Sequence, residues 1–416
     1  MTRSLAEKLA AIESGTLMVG VDLGKEKHVA VVINQQAERL ARFSFSNDRS
    51  GFDHFSQEIR RQQQKADAPR VWVGLEPTSY LWKPLAKYMT EESITYRLVN
   101  AYTVKRRREG DHLDRSKDDK RDAFVIADLL RTGKYMKSQL LTGSYAELRQ
   151  YSSTYNRLQK EANQQKGLLN ATVGQLFPEL QRVFKDLTGI TAQAMLKGHA
   201  APAEVALLPV KEFIRQVQAE MPGRRLAVKK LRQAHALAGE SVGMLETEAL
   251  QQSIRFCVER LALLAEQVTL VKECLKETLL SLPEAPYILS LGLGMHTTAI
   301  IVGEIGDPSR YRRGDQLVKL AGTQPTPNVS GKKRNSKTPM SRKGRPRLRS
   351  ALYFACLRLV KMDPGFKQLY QRLQTRRHNS LEKMEALGVL MNKVLRIIWA
   401  LIQQEAFYDP ERLLSA

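Results

Sequence analysis

Residues 17–34 of the 416-residue chain read LMVGVDLGKEKHVAVVIN. Two runs rich in valine and other aliphatics, 17–24 and 27–34, flank a short polar turn. That is the pattern of two antiparallel strands, and RLARFSF at 39–45 extends it into a three-stranded meander. Beyond it come a helical stretch near 49–64, an apolar strand RVWVGLE at 70–76, a helix from about 80 and a strand at 94–99. Three strands followed by alternating helix and strand predict a mixed sheet flanked by helices, an α/β domain over residues 1–140.

From about residue 145 to 282 the strand signals vanish, which predicts an all-α domain over 141–283. Leu250, Ile254, Cys257, Leu261, Leu264, Val268, Val271, Leu275, Thr278 and Leu282 alternate by four and three. Only Thr278 interrupts the apolar seam, so the stretch reads as a coiled coil or a long helical hairpin. Such a seam serves self-association or packing within the chain. Pro283 ends the helix, because proline cannot continue the hydrogen-bond ladder. A mainly helical third domain is expected over 284–416. It opens with YILSLGLGMHTTAIIVGEIGD at 287–307, where two apolar stretches flank Gly292-Leu293-Gly294. This is either a helix-hairpin-helix able to approach a phosphate or a plain packing joint.

Lysine and arginine number 66 against 43 aspartates and glutamates, a net charge of +23. In a chain with 43% hydrophobic residues, and therefore folded, that excess points to a polyanionic partner, nucleic acid first. Three cysteines and seven scattered histidines give neither a disulfide framework nor a zinc-binding spacing, which fits a reducing cytoplasm. The N-terminal MTRSLAEKLAAIESG carries acids and reads as a short amphipathic helix rather than a signal peptide. The most apolar late stretch, VLRIIWALI at 394–402, contains Arg396 and falls short of the roughly 20 residues a membrane span needs.

Candidate chemistry begins with acids. Asp22 and Glu76 each end an apolar strand, where a carboxylate emerges at the sheet edge. Two such carboxylates side by side suit a hard divalent cation such as Mg²⁺. In KDDKRDAFVIADLL at 117–130, Asp119 and Asp122 are three apart and share one helix face, whereas Asp118 points elsewhere. Acids in a first turn also complement the helix dipole. Combined with the strand-end acids and a basic chain, they suggest a two-metal phosphoryl-transfer site.

The order VGVDLGKEKH, GLEPTSYLW, KDDKRDA resembles the N-terminal domain of the DEDD-type insertion-sequence transposases, RNA-guided "bridge" recombinases related to the Piv DNA invertase. The resemblance implies a ribonuclease-H-like, Holliday-junction-resolvase-like fold, with metal-binding acids at Asp22, Glu76, Asp119 and Asp122. Asp118 stands where that family commonly has a small polar residue, and the spacing to Asp122 favours Asp119. LAGTQPTPNVSGKKRNSKTPMSRKGRPRLRSAL at 320–352 resembles the same family's transposase domain, which implies a nucleophilic serine at Ser330. Ser336 and Ser341 lie in the same loop. Independently, residues 331–349 hold nine lysines or arginines and no acid, a phosphate-seeking surface beside that hydroxyl.

The expected activity is a DNA transposase or recombinase, cytoplasmic and nucleoid-associated, acting on donor and target DNA with Mg²⁺. The resemblance further implies guidance by a structured noncoding RNA. Lys105, Arg106, Arg107 and Arg108, with Lys332, Lys333, Arg334, Arg342, Lys343 and Arg345, are candidate nucleic-acid contacts. Exchange of strands between two sites implies a homodimer or homotetramer. The alternatives are a metal-dependent junction nuclease using water, a nonenzymatic nucleic-acid scaffold, and an actin- or sugar-kinase-type ATPase, whose glycine-rich phosphate segments are missing.

Overall fold

The computed structural model describes residues 3–77, 79–111, 119–136, 140–244, 248–326, 329–330, 333–334 and 339–415. The chain divides into two compact units, residues 1–140 and 141–416.

The first unit runs α1 (Arg3–Ala10), β1 (Leu17–Leu23), β2 (Lys27–Ile33), β3 (Arg39–Ser46), α2 (Arg49–Lys65), β4 (Val71–Leu75), α3 (Trp82–Glu91), β5 (Tyr96–Val99), α4 (Ala101–Asp111), α5 (Asp119–Arg131) and β6 (Tyr135–Met136). Among the described residues the sheet order is β3-β2-β1-β4-β5-β6. The meander β1-β2-β3 is antiparallel, β4 and β5 continue parallel to β1, and β6 closes the edge antiparallel. The mixed sheet expected from the sequence is therefore present; the short edge strand β6 was not legible there.

Period-two alternation divides the core between the two faces of this sheet. Leu17, Val19 and Val21 of β1 pack with Phe45, Phe55, Leu85 and Met89 beneath α2 and α3. Met18, on the opposite face, packs with Ala123, Ala127 and Leu130 of α5. Gly20 shares that second face. A Cβ there would lie 1.9 Å from the Ala123 carbonyl oxygen and 2.5 Å from the Ala127 nitrogen. Its register partner Gly74 on β4 faces Ile126, at 2.9 Å from an added Cβ. Two neighbouring strands thus present bare backbone, and α5 rests directly on it. His28 is fully buried on the α2 face, with its ring 5.1 Å from that of Phe45, and burial pulls its pKa down.

The second unit is built on two long helices, α6 (Gly143–Leu176) and α12 (Glu248–Leu280). Between them lie α7 (Leu180–Val183), α8 (Ile190–Gly198), α9 (Pro202–Leu207), α10 (Val210–Glu220) and α11 (Val228–Ala238). After them come α13 (Ala285–Leu289), α14 (Met295–Ile305), α15 (Gly314–Ala321), β7 (Val329–Ser330), β8 (Lys333–Arg334), α16 (Pro346–Met362), α17 (Pro364–Thr375), α18 (Lys383–Gln404) and α19 (Glu411–Ser415). The C-terminal half of α6 and the start of α12 share one apolar core with α7–α11. The first half of α6 and the rest of α12 share the other with the C-terminal helices.

The seam read from heptad spacing is consumed within the chain. Ile254, Cys257 and Leu261 enter the first core, and Leu264, Val268, Val271 and Leu275 the second. Of the two readings the sequence allowed for this seam, the structure uses it as a helical hairpin with α6. A different stripe, Phe256, Leu263 and Leu270 at spacings of seven, faces outward with 53–67% of each residue exposed. The glycine turn before α14 is anchored by Arg358, whose Nε donates to the Gly292 carbonyl at 2.9 Å.

Gly20→Ala is expected to cost roughly 1–3 kcal/mol or more, since the added methyl must displace helical backbone rather than a side-chain tip. Gly167→Ala, at a helical position whose added Cβ meets nothing within 4 Å, should be neutral or stabilising. Urea unfolding of both variants checks this, and equal midpoints would contradict the seating of α5 on the glycine pair.

Candidate active site

Asp22 is the penultimate residue of β1, paired across the hairpin with Val29. Glu76 directly follows β4. The parallel register sets Val21 opposite Leu75, so one further step sets Asp22 beside Glu76. Alternation puts both on the face of Met18, Gly20, Trp72 and Gly74, which α5 covers. Both are half-buried. Trp72, nearer the start of β4, meets Tyr135 beyond the C-terminal end of α5, with ring centroids 5.5 Å apart. The helix therefore runs against β1 and β4, and its N-terminal turn lies at the strand ends that carry the two acids.

That turn opens with Asp119, one helical turn ahead of Ala123; the Asp119 side chain lies outside the described atoms, and Asp118 outside the described residues. Asp122 is buried, and its carboxylate accepts two hydrogen bonds from Nη1 of Arg108 on α4, at 2.9 and 3.2 Å. One residue earlier on α4, Arg107 pairs with buried Asp128 at 3.3 Å, and Arg131 holds the same carboxylate from within α5. Charge-assisted bonds of this kind are stronger than neutral ones and fix the facing helices. The remaining cations of the run face outward: Lys105 lies 3.8 Å from Glu109, and Arg106 bonds the Tyr102 hydroxyl at 2.9 Å.

The donor set is made of carboxylate oxygens, the chemistry of a hard divalent cation. Asp122 is already paired with Arg108, so a metal ion there would compete with that guanidinium for the carboxylate. Among the described residues, which leave out the Asp119 side chain, no group of three or more His, Cys, Asp or Glu side chains is close enough to hold a metal.

Ser330 belongs to the second unit. It sits in β7, and its register partner across the antiparallel pair is Lys333. Nearer the base of the same arm, Pro325 bridges Met340, the Thr326 N–H donates to the Pro339 carbonyl and the Ser341 N–H to the Gln324 carbonyl, both at 2.9 Å. The arm closes where Gly322 and Gly344 cross: a Cβ on Gly344 would lie 2.4 Å from the Gly322 nitrogen, and Gly322 itself has a φ of +68°. Ser341 is spent at this base, its Oγ accepting from the Lys343 N–H. Ser336 and Lys332 lie outside the described residues, as do the side chains of Lys333 and Arg334. Arg342 and Lys343 are exposed at the base, whereas Arg345 turns inward onto the Glu304 carbonyl of α14. Burial pushes the Glu304 carboxyl up despite Arg149 and Arg347 nearby.

Two features escaped the sequence reading. The Arg108–Asp122 pair was hidden because a run of arginines gives no sign of which member turns inward. The glycine seat did leave a trace: VGVD at 19–22 and VGLE at 73–76 repeat the same order of valine, glycine, aliphatic and acid.

Similarity to known proteins bears on the same segments. Residues 19–178 match a family model described as "Transposase", of the DEDD type, and residues 290–371 match "Transposase IS116/IS110/IS902 family". The 42 kDa protein of insertion element IS900 from Mycobacterium paratuberculosis is 25% identical over 95% of this chain and 98% of its own length. A protein of insertion element IS116 from Streptomyces clavuligerus is 25% identical over 95% and 96%. The pilin gene-inverting protein of Moraxella lacunata is 28% identical over 30% of this chain and 40% of its own. The two models fall on both units and together span more than half of the sequence, so the chain belongs to the IS116/IS110/IS902 family of insertion-element transposases.

Proposed function

We propose that this transposase is a site-specific DNA recombinase that cuts and rejoins strands of an insertion element and its target, with carboxylates as metal ligands and a serine as nucleophile. The observation that carries the reading is the pairing of Asp22 and Glu76 at adjacent parallel strand ends, on the face where the first turn of α5 carries Asp119 and Asp122. An antiparallel meander leading into parallel strands, with acids at the sheet edge, supports a ribonuclease-H-like fold for this unit. The proposed domains are the catalytic domain at 1–140, a helical middle at 141–283 and a serine-bearing transposase domain at 284–416.

Asp22, Glu76, Asp119 and Asp122 would hold Mg²⁺, which supplies charge neutralisation at the scissile phosphate. The hydroxyl of Ser330 attacks phosphorus; a phosphoseryl bond forms as the bond to one strand terminus breaks, and that terminus leaves as a hydroxyl carrying a proton. Attack by a hydroxyl of the new partner reverses the step and frees the serine, so bond energy is conserved without nucleotide hydrolysis. Arg342 and Lys343, with Lys332, Lys333 and Arg334, would hold the phosphate backbone near that hydroxyl.

Donor and target DNA are the substrates in this reading, and a structured noncoding RNA is the guide implied by the resemblance; the net charge of +23 supports a polyanionic partner. Two sites must exchange strands, so at least two protomers act together. The outward stripe Phe256, Leu263 and Leu270 has the heptad spacing for such an assembly.

Incubating the full chain with element-end DNA and Mg²⁺ tests the reading. A protein–DNA adduct that survives denaturation is expected, absent in Ser330→Ala, while Asp119→Asn binds DNA but neither cuts nor links. An adduct persisting in Ser330→Ala moves the nucleophile to another hydroxyl. Cutting without adduct in both proteins replaces the reading with the water-using nuclease.

Arg108→Ala leaves the buried Asp122 carboxylate unpaired and should cost about 1–3 kcal/mol in metal-free buffer. If Asp122 is a metal ligand, Mg²⁺ should reduce that deficit, because a carboxylate freed of Arg108 binds the cation more tightly and the variant gains more from it than the wild type does. A deficit unchanged by Mg²⁺ in a thermal melt counts against Asp122 as a ligand.

A further inference from the structure

Helices α17, α18 and α19 frame a half-open surface pocket of about 430 Å³, with Arg372, Arg376, Val389 and Arg396 exposed along it. Its volume falls within the roughly 300–1,000 Å³ typical of small-molecule sites. Arg372, Arg376, Lys393 and Arg396 line it, and no acid does. Arg396 is held at the wall by Asp315 of α15, Nε to Oδ1 at 2.8 Å. Arg376 donates from Nε to the Asn379 carbonyl at 2.6 Å, which fixes its guanidinium. Among the described residues, Arg372, Arg376 and Lys393 form no ion pair with a carboxylate. Three like charges without compensating acids, beside a fourth that Asp315 neutralises, repel one another, an arrangement that an anion relieves.

The remaining lining is aliphatic: Leu369 and Leu373 from α17, Val389 from α18 and Leu413 from α19. A site for a bare inorganic anion has no use for such a floor. A ligand that joins an anionic group to a flat, weakly polar ring satisfies both parts at once.

We propose that this cavity is a nucleotide subsite, in which the cations hold one phosphate of an unpaired strand and the attached sugar and base cover the aliphatic floor. An unpaired nucleotide can turn its base into a cavity, whereas a duplex keeps its bases stacked and offers only its phosphate surface. RNA and DNA share this chemistry. The choice of nucleic acid as ligand rests on the transposase reading, while the place and composition of the site do not.

Fluorescence anisotropy of the full chain with labelled U20, dT20 and a 20-base-pair duplex, at several salt concentrations, tests the proposal. Arg372→Gln and Lys393→Gln should each weaken single-strand binding several-fold and lower the slope of log affinity against log salt by about 0.7. Val389→Glu, which places a carboxylate on a residue 41% exposed, should weaken single strands likewise. Duplex binding should stay at the wild-type level in all three, and unfolding midpoints within error of wild type confirm that the fold is intact. A larger loss on U20 identifies RNA as the occupant, and a larger loss on dT20 identifies DNA. Wild-type affinity and slope in the variants overturn the subsite, as does an equal loss on single strands and duplex, which marks a general charge effect. A wild-type protein that binds none of the three probes would overturn the transposase reading along with it.

Discussion

The candidate site depends on one close approach, the contact of α5 with the bare backbone of β1 and β4 at Gly20 and Gly74. Any side chain at Gly20 would lift the helix, and with it the turn that carries Asp119 and Asp122. The strands contribute their acids two residues beyond each glycine, so the same register that seats the helix sets Asp22 beside Glu76. Close-packed interiors transmit such constraints rigidly. Position at the strand ends therefore follows from packing one or two residues away, without special geometry at the acids themselves.

Electrostatics supplies a second layer. Clustered carboxylates repel, and the chain meets this with guanidinium groups from α4: Arg108 on Asp122 and Arg107 on Asp128. These pairs tie α4 to α5 and keep buried acids compensated. The second unit follows a different logic. Two long helices, α6 and α12, each pass through two apolar cores, and the arm bearing Ser330 closes at a glycine crossing secured by Arg345 and Arg349 on neighbouring carbonyls.

Much of the first unit was legible because its signals are local. The alternation in LMVGVDLG and KHVAVVI marked strands that the structure forms, and RVWVGL marked the parallel neighbour. What escaped depends on relations between distant segments. The spacing from Leu250 to Leu282 revealed an apolar seam but not what covers it, since a partner chain and α6 demand the same residues. Nothing in the basic run at 105–108 marks Arg107 and Arg108, offered there as nucleic-acid contacts, as the members that also reach buried acids. The cavity beside Arg372 and Lys393 draws on helices separated in sequence, and no window along the chain contains it.

In the function proposed above, Asp22, Glu76, Asp119 and Asp122 would together hold bound divalent metal. Replacing Mg²⁺ with Fe²⁺ and generating hydroxyl radicals with ascorbate and peroxide cuts the backbone next to bound metal, and the fragments are read by mass spectrometry. Three clusters of cuts are expected, around residues 20–24, 74–78 and 118–123, all suppressed by excess Mg²⁺. Cuts elsewhere, or at only one of these segments, would contradict it.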